Sequence, residues 1–403
     1  MARHALSDVK ARLADEVDRR SELLLDVSHR IHAHPETLYE ERFAHDLLTG
    51  VLEQGGLHVT RHAHGVETAF EATAGCGGRS VGVVCEFDAL PGMGHACGHN
   101  IIAAAGVGAA LATAALAEEV GGRVVVIGSP AEEGGGGKLP FITGGTLAQL
   151  DAALMVHPAD ADLLAMDVIA VHQAWVTYHG RSAHAAAFPH QGRNALDAAV
   201  LGYMNVAALR QHVEAGERLH GIITHGGEKP NIVPGYARAE WMVRSPTLRG
   251  LERLEERFVA CIEAGARAAG CEVDIDWRDP VYADMVDNRA IGERYRTNAE
   301  RLGRAVRAPS PAARVVGSTD MGNVSYEVPA IHPMIQAAPP GVAIHTPEFA
   351  RFAAGPEGDR AVIDGAKALA WTVADLWLDP ELVELARAEW ATAVRHRSHA
   401  GPG

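Results

Sequence analysis

Short apolar runs rich in β-branched residues alternate with helical stretches up to residue 157, and three of them, Val81 to Cys85, Arg123 to Ile127 and Ala152 to Val156, stop at turns crowded with acids and histidines. A chain patterned this way is expected to build an α/β layered core, because each helix can cover a face of the sheet that its neighbouring strands form. Residues 6 to 55 carry helical apolar spacing, and the nearly apolar stretch Ile101 to Ala117 is mostly Ala and Gly. That stretch is shorter than the roughly 20 residues a bilayer span needs, which predicts a buried helix.

A second style of pattern interrupts the first. The run Ala170 to His179, a helix pattern from Asn194 to Val213, strands near 220–225 and 236–244, a helix over 248–269 and a strand over 272–277 predict a small α+β domain inserted in the first. After residue 287 a helix, a Gly-Ser-Thr-Asp turn, an apolar strand from Ala330 to Ile335 and a long final helix return to the earlier style. The expected organisation is therefore a discontinuous catalytic domain, residues 1–170 with 287–403, and an insert over 171–286. A length of 403 residues accommodates two domains, and 47% hydrophobic with 22% charged residues is the balance of a folded protein.

A formal charge of −15 repels phosphate backbones and anionic lipid, so neither nucleic acid nor membrane is an expected partner. Five cysteines in a long chain, together with a first segment lacking an apolar stretch and a cleavage site, predict a cytoplasmic address without a disulfide framework. A cysteine with a special role is then a ligand or a reactive thiol.

The turn after the first run reads Cys85-Glu-Phe-Asp-Ala-Leu-Pro-Gly-Met-Gly-His-Ala-Cys-Gly-His-Asn100. Cys97 and His99 flank one glycine, a spacing that lets thiolate and imidazole grip one ion or bridge two. After the second run, Glu132 and Glu133 stand side by side. In an extended segment they point opposite ways, so that one can bind metal while the other faces water as a general base. The glycines that follow do not make a phosphate loop, because Glu132 stands where its first glycine is required and Leu139 where Ser or Thr is. His157 ends the third run, and His345 in Ala-Ile-His-Thr-Pro occupies a similar strand-to-turn setting. Two other readings stay open here: Cys97 as a nucleophile paired with His99 in a metal-free thiol hydrolase, and a non-catalytic binding protein on the same fold.

With Ile31-His-Ala-His-Pro-Glu36, Asp88-Ala-Leu-Pro, His95-Ala-Cys-Gly-His99, Ala131-Glu-Glu133, Ser182-Ala-His184, Ser318-Thr-Asp-Met-Gly322 and His345-Thr-Pro in this order, nearly the whole chain resembles the M20 metallopeptidase superfamily. The resemblance is to its Cys-containing amidohydrolase branch, which holds the aminoacylase-1-like protein 2 and p-aminobenzoyl-glutamate hydrolase groups. It implies a di-metal exopeptidase-like catalytic domain, with a mixed sheet flanked by helices, and an inserted α+β lid that commonly mediates homodimerisation. Carried over, Cys97, His99, Glu133, His157 and His345 are the metal ligands, Glu132 the general base and Asp88 the supporting acid. The histidine usual two residues before that acid is Glu86 here, and Asn100 stands where many relatives have Asp. His184 takes the role of stabilising the substrate carbonyl, often across a dimer interface. Asn231 and Arg244 match positions that contact substrate, although a turn-forming Asn and a surface Arg describe them equally well. The implied reaction is hydrolysis of the amide bond of an N-acyl amino acid or dipeptide, with two divalent ions, Zn(II) or Mn(II).

Overall fold

Every residue of Ser80–Glu86 is buried, and so is all but the first of Arg123–Ser129. Apolar runs without polar alternation cannot form half-solvated strands, so both lie inside a sheet covered on its two faces. The computed structural model describes residues 5–308 and 316–399. Two units divide the chain, residues 1–167 with 285–403 and residues 168–284.

In chain order, the principal elements of the first unit are helices α1 (Leu6–Arg19), α2 (Ser21–Ala33) and α3 (Arg42–Gln54), strands β1 (His58–Arg61), β2 (Phe70–Ala74) and β3 (Ser80–Glu86), helix α4 (His99–Val120), and strands β4 (Arg123–Ser129), β5 (Ala152–Leu154) and β6 (His157–Ala159). The second unit follows with β7 (Ala170–His179), α5 (Ala195–Leu209), β8 (Arg218–His225), β9 (Tyr236–Ser245), α6 (Leu248–Ala269) and β10 (Glu272–Tyr282). The first unit resumes with α7 (Arg289–Arg301), α8 (Met321–Glu327), β11 (Ala330–Ile331), β12 (Met334–Gln336), α9 (Pro347–Phe352), α10 (Pro356–Leu378) and α11 (Pro380–His399).

The first unit carries a mixed six-stranded sheet in the order β1-β2-β4-β3-β5-β11. β2 runs antiparallel to β1 and β4, whereas β3 is parallel to β4 and β5, and β5 to β11. Glu86 pairs in register with Ser129, so the two ligand-rich loops leave neighbouring strand ends. Such ends on a parallel sheet are where sites form. The apolar run after residue 330 is two strands rather than the one expected: β11 pairs with β5, and β12 with β6. Pro333 lies between them and has no N–H to continue a ladder, so the chain changes partner there.

Helix α4 packs on this sheet and is buried over most of its length. Among the described residues it is the one helix long and apolar enough to cross a membrane, and 89% of that stretch is buried inside the protein. Small residues let other helices approach it closely. A Cβ at Gly108 would lie 2.7 Å from Leu24 of α2 and 2.8 Å from Ala366 of α10.

In the second unit, an antiparallel sheet in the order β10-β7-β9-β8 packs one face against α5 and α6. Burial alternates almost residue by residue along β7, as a strand with one covered face requires. Tyr178, Trp241, Phe258 and Ile262 lie in its core.

Gly108→Val forces a branched side chain into the junction of α2, α4 and α10. Overpacking of this kind costs about 1–3 kcal/mol. The expected result is a lower urea midpoint with an unchanged denaturant slope in equilibrium unfolding of the full chain.

Candidate active site

The turn before α4 is shaped by Gly98, whose φ of +78° lies in the left-handed region and whose missing Cβ would sit 2.6 Å from Pro158. Glycine is the residue that tolerates both constraints. It places Cys97 and His99 in one buried space, with His99 as the first residue of α4. Asp88, in the loop after β3, uses both oxygens: Oδ1 accepts from His99 Nδ1 at 2.9 Å, and Oδ2 accepts from the Glu133 backbone N–H at 3.0 Å. One carboxylate thereby fixes two loops and orients the His99 ring so that Nε2 faces the site.

Glu132 and Glu133 do not lie on an extended segment, contrary to the sequence expectation. Ala131 has a φ of +51°, and residues 132–135 form a turn, so the two carboxylates do not alternate across a strand. Both converge on His99 Nε2, at 3.9 Å from Glu132 Oε2 and 3.8 Å from Glu133 Oε1. The unusual Ala131 conformation is held by buried Glu41, whose Oε1 accepts from the Ala131 and Tyr39 N–H groups and whose Oε2 accepts from Thr68.

His157 opens β6 instead of ending the preceding strand. Its Nδ1 donates to the Pro158 carbonyl at 2.8 Å, leaving Nε2 3.4 Å from Cys97 Sγ. His345 sits on a bend before α9, not after a strand, with a φ of +62° and its N–H bonded to the Ala96 carbonyl. Its half-exposed ring brings Nε2 to 3.3 Å from Glu133 Oε1. Cys97, His99 and His157 thus offer ligand atoms within 4.8 Å of one another, as do Cys97, Glu133 and His345, and likewise Glu86, His99 and Glu132.

Electrostatics agree with a cation at this point. The Nε2 of His99 and the Oε2 of Glu86 are buried without hydrogen-bond partners and lie 3.6 Å apart. Without a cation such a space prefers a proton: burial disfavours charging His99, yet Cys97 and Asp88 hold its proton affinity well above the ordinary histidine value. Burial, then Glu86 and Asp320, push Glu132 well above the usual carboxylate range. Glu133 is held at about 2, because the His345 hydrogen bond and the charge of His99 outweigh its burial. Burial also raises the Cys97 thiol well above its ordinary value, the opposite of what a thiolate nucleophile needs. The donor set of thiol, imidazoles and carboxylates suits divalent Zn or Mn.

Lys138, which in the sequence served only to reject a phosphate loop, is fully buried. Its ammonium is ion-paired with Glu86 and Asp320, themselves fully buried, and its N–H bonds Asp320 Oδ2 at 3.0 Å. The glycine-rich loop is thereby tied at its far end to the turn that precedes α8. Asn100 lies outside the cluster of ligands, donating to Ser28 and to the Ala353 carbonyl.

In the second unit, His184 and Asn231 are neighbours: the Asn231 carbonyl accepts from Ala185 at 3.0 Å. The Nδ1 of the exposed His184 accepts from the Ala186 and Ala187 N–H groups at 3.3 and 3.2 Å, which leaves the proton on Nε2 as an outward donor. Arg244 is not with them. It pairs with Val171 and Arg218 at one end of β9, whereas Tyr236, at the other end, pairs with His179 beside the loop that bears His184. Eight residues of strand separate these ends by roughly 25 Å.

The model of peptidase family M20/M25/M40 matches residues 82–371. The Xaa-Arg dipeptidase of Mus musculus is 38% identical over 95% of this chain and 92% of its own length, and that of Homo sapiens 36% identical over 96% and 93%. A p-aminobenzoyl-glutamate hydrolase polypeptide of Escherichia coli (strain K12) is 33% identical over 69% of this chain and 62% of its own length. Two solved structures share the fold: an aminobenzoyl-glutamate utilization protein from Klebsiella pneumoniae, with TM-score 0.72, 18% identity and coverage of 91% of this chain and 98% of that one, and a dinuclear metal binding peptidase of Bacillus subtilis, with TM-score 0.69, 17% identity and coverage of 89% and 99%.

Lys138→Met leaves Glu86 and Asp320 buried without their shared cation. Breaking a buried ion pair from one side costs about 3–5 kcal/mol. A loss of stability of that size is expected in chemical denaturation, and an unchanged midpoint would show that water reaches these carboxylates.

Proposed function

The chain belongs to peptidase family M20/M25/M40, and from that premise we propose that this hydrolase is a metal-dependent dipeptidase that releases a basic amino acid from a dipeptide. The observation that carries the reading is the convergence of Cys97, His99, Glu133, His157 and His345 around one buried space with Glu132 at its edge. Full-length similarity to two Xaa-Arg dipeptidases supports a basic leaving residue, as does a net charge of −15, whose field favours a cationic substrate over an anionic one. N-acyl amino acids are the wider class from which that substrate is drawn.

Cys97, His99, Glu133, His157 and His345 hold two divalent ions, Zn or Mn. When bound, the ions supply Lewis acidity at the amide carbonyl and favour ionisation of water. Glu132 takes the proton of the attacking water on its carboxylate and then passes it to the leaving amine nitrogen. Asp88 keeps His99 in the tautomer that presents Nε2. The resemblance assigns His184 to the oxygen on which charge develops, and Asn231 and Arg244 to substrate binding.

The homodimer of this reading forms through the second unit. β8 is an edge strand carrying exposed Ile222 and Ile223, and α5 beside it exposes Val200, Leu201 and Met204. An apolar edge of that kind is a template for pairing with a second copy.

Glu132→Gln removes the base while preserving shape. A fall in kcat of about 10²–10⁴-fold is expected, with metal content unchanged, on a panel of Xaa-Arg, Xaa-Lys, N-acetyl amino acids and p-aminobenzoyl-glutamate. Chelation abolishes wild-type hydrolysis and metal restores it; chelator-resistant activity lost on thiol alkylation would overturn the reading in favour of Cys97 as nucleophile. Separately, Ile222→Lys is expected to shift the protein from dimer to monomer in sedimentation velocity.

A further inference from the structure

Glu86 ends β3 in full burial, at the end of a strand buried along its whole length. Its two oxygens have different surroundings. Oε1 accepts from Lys138 Nζ. Oε2 has no hydrogen-bond partner, and it lies 3.6 Å from His99 Nε2, itself without one. Glu86, His99 and Glu132 bring ligand atoms within 4.8 Å of one another.

Unless His99 carries a second proton, the charges of this corner do not balance. Lys138 contributes one positive charge against the two carboxylates of Glu86 and Asp320, all three fully buried. A buried charge left over in this way has to be met by a cation or by hydrogen bonds. Asp320 spends Oδ1 on the Lys138 ammonium and Oδ2 on the Lys138 N–H. The unmet demand therefore falls on Glu86 Oε2, on the side facing His99.

We propose that Glu86 is an additional ligand of the metal centre, giving Oε2 to the ion held by His99 while Lys138 holds Oε1. The ammonium and the ion share one carboxylate, which fixes its orientation through its own geometry. Lys138 is a positioning residue in this arrangement. The inference rests on the reading of the cluster as a metal centre.

The test uses the full chain, stripped by chelator and titrated with Co(II), with ligand-field absorption and competition against a chromophoric chelator as readouts. Wild-type protein is expected to take two ions. Glu86→Gln weakens one of them by at least about 10-fold, in line with what loss of a group orienting or binding a metal costs, and shifts the ligand-field bands. Glu86→Asp keeps the charge opposite Lys138, so the fold survives even if the neutral variant fails to fold, yet it withdraws the oxygen by one methylene and gives the same spectral shift. Wild-type affinity and unchanged bands in Glu86→Asp overturn the proposal, reducing Glu86 to a charge partner of Lys138. Failure of the wild-type chain to bind Co(II) would instead defeat the metal reading on which the proposal stands.

Discussion

Carboxylates taken out of water must be answered by cations or by donors, and the centre of the first unit buries Glu41, Glu86, Asp88, Glu132 and Asp320 together. Each answer shapes the backbone. Asp88 binds a ring N–H and a loop N–H, Glu41 binds Ala131 in its left-handed conformation, and Asp320 binds the backbone and ammonium of Lys138. The loop from 130 to 138 is thus fastened at its start, its middle and its end by three acids from three separate parts of the chain. What is left unanswered, at His99 Nε2 and Glu86 Oε2, faces the space where Cys97, Glu132, Glu133 and His157 also converge.

This construction gives Glu132 and Glu133 different characters although they are adjacent in sequence. Glu133 has its N–H on Asp88 and its carboxylate against His345, which keeps it ionised. Glu132 lies among other acids and keeps a high proton affinity. Environment, not residue type, separates the proton affinities of two identical side chains. The second unit makes an analogous separation by length: a ten-residue strand carries Arg244 at one end and starts beside the His184 loop at the other.

Much of this was legible in the chain. Strands buried on both faces have to be uninterrupted apolar runs, so β3 and β4 announced themselves. Ligand types with a glycine between them, as in Cys97-Gly-His99, singled out the turn. Less was legible where the chain is irregular. The left-handed Ala131 and His345 carry no signature in residue type, and the conversion of the Ala330–Ile335 run into two strands depends on partners far away in sequence.

The sequence by itself determined the layered α/β core, the family and candidate metal ligands such as Cys97 and His99, because periodicity and residue chemistry are local properties. Tertiary structure alone decided which of those groups meet, and what each experiences there. No local pattern marks Lys138, Glu41 and Asp320 as buried, since a charge acquires its partner and its proton affinity only from neighbours that the chain brings together across long sequence distances.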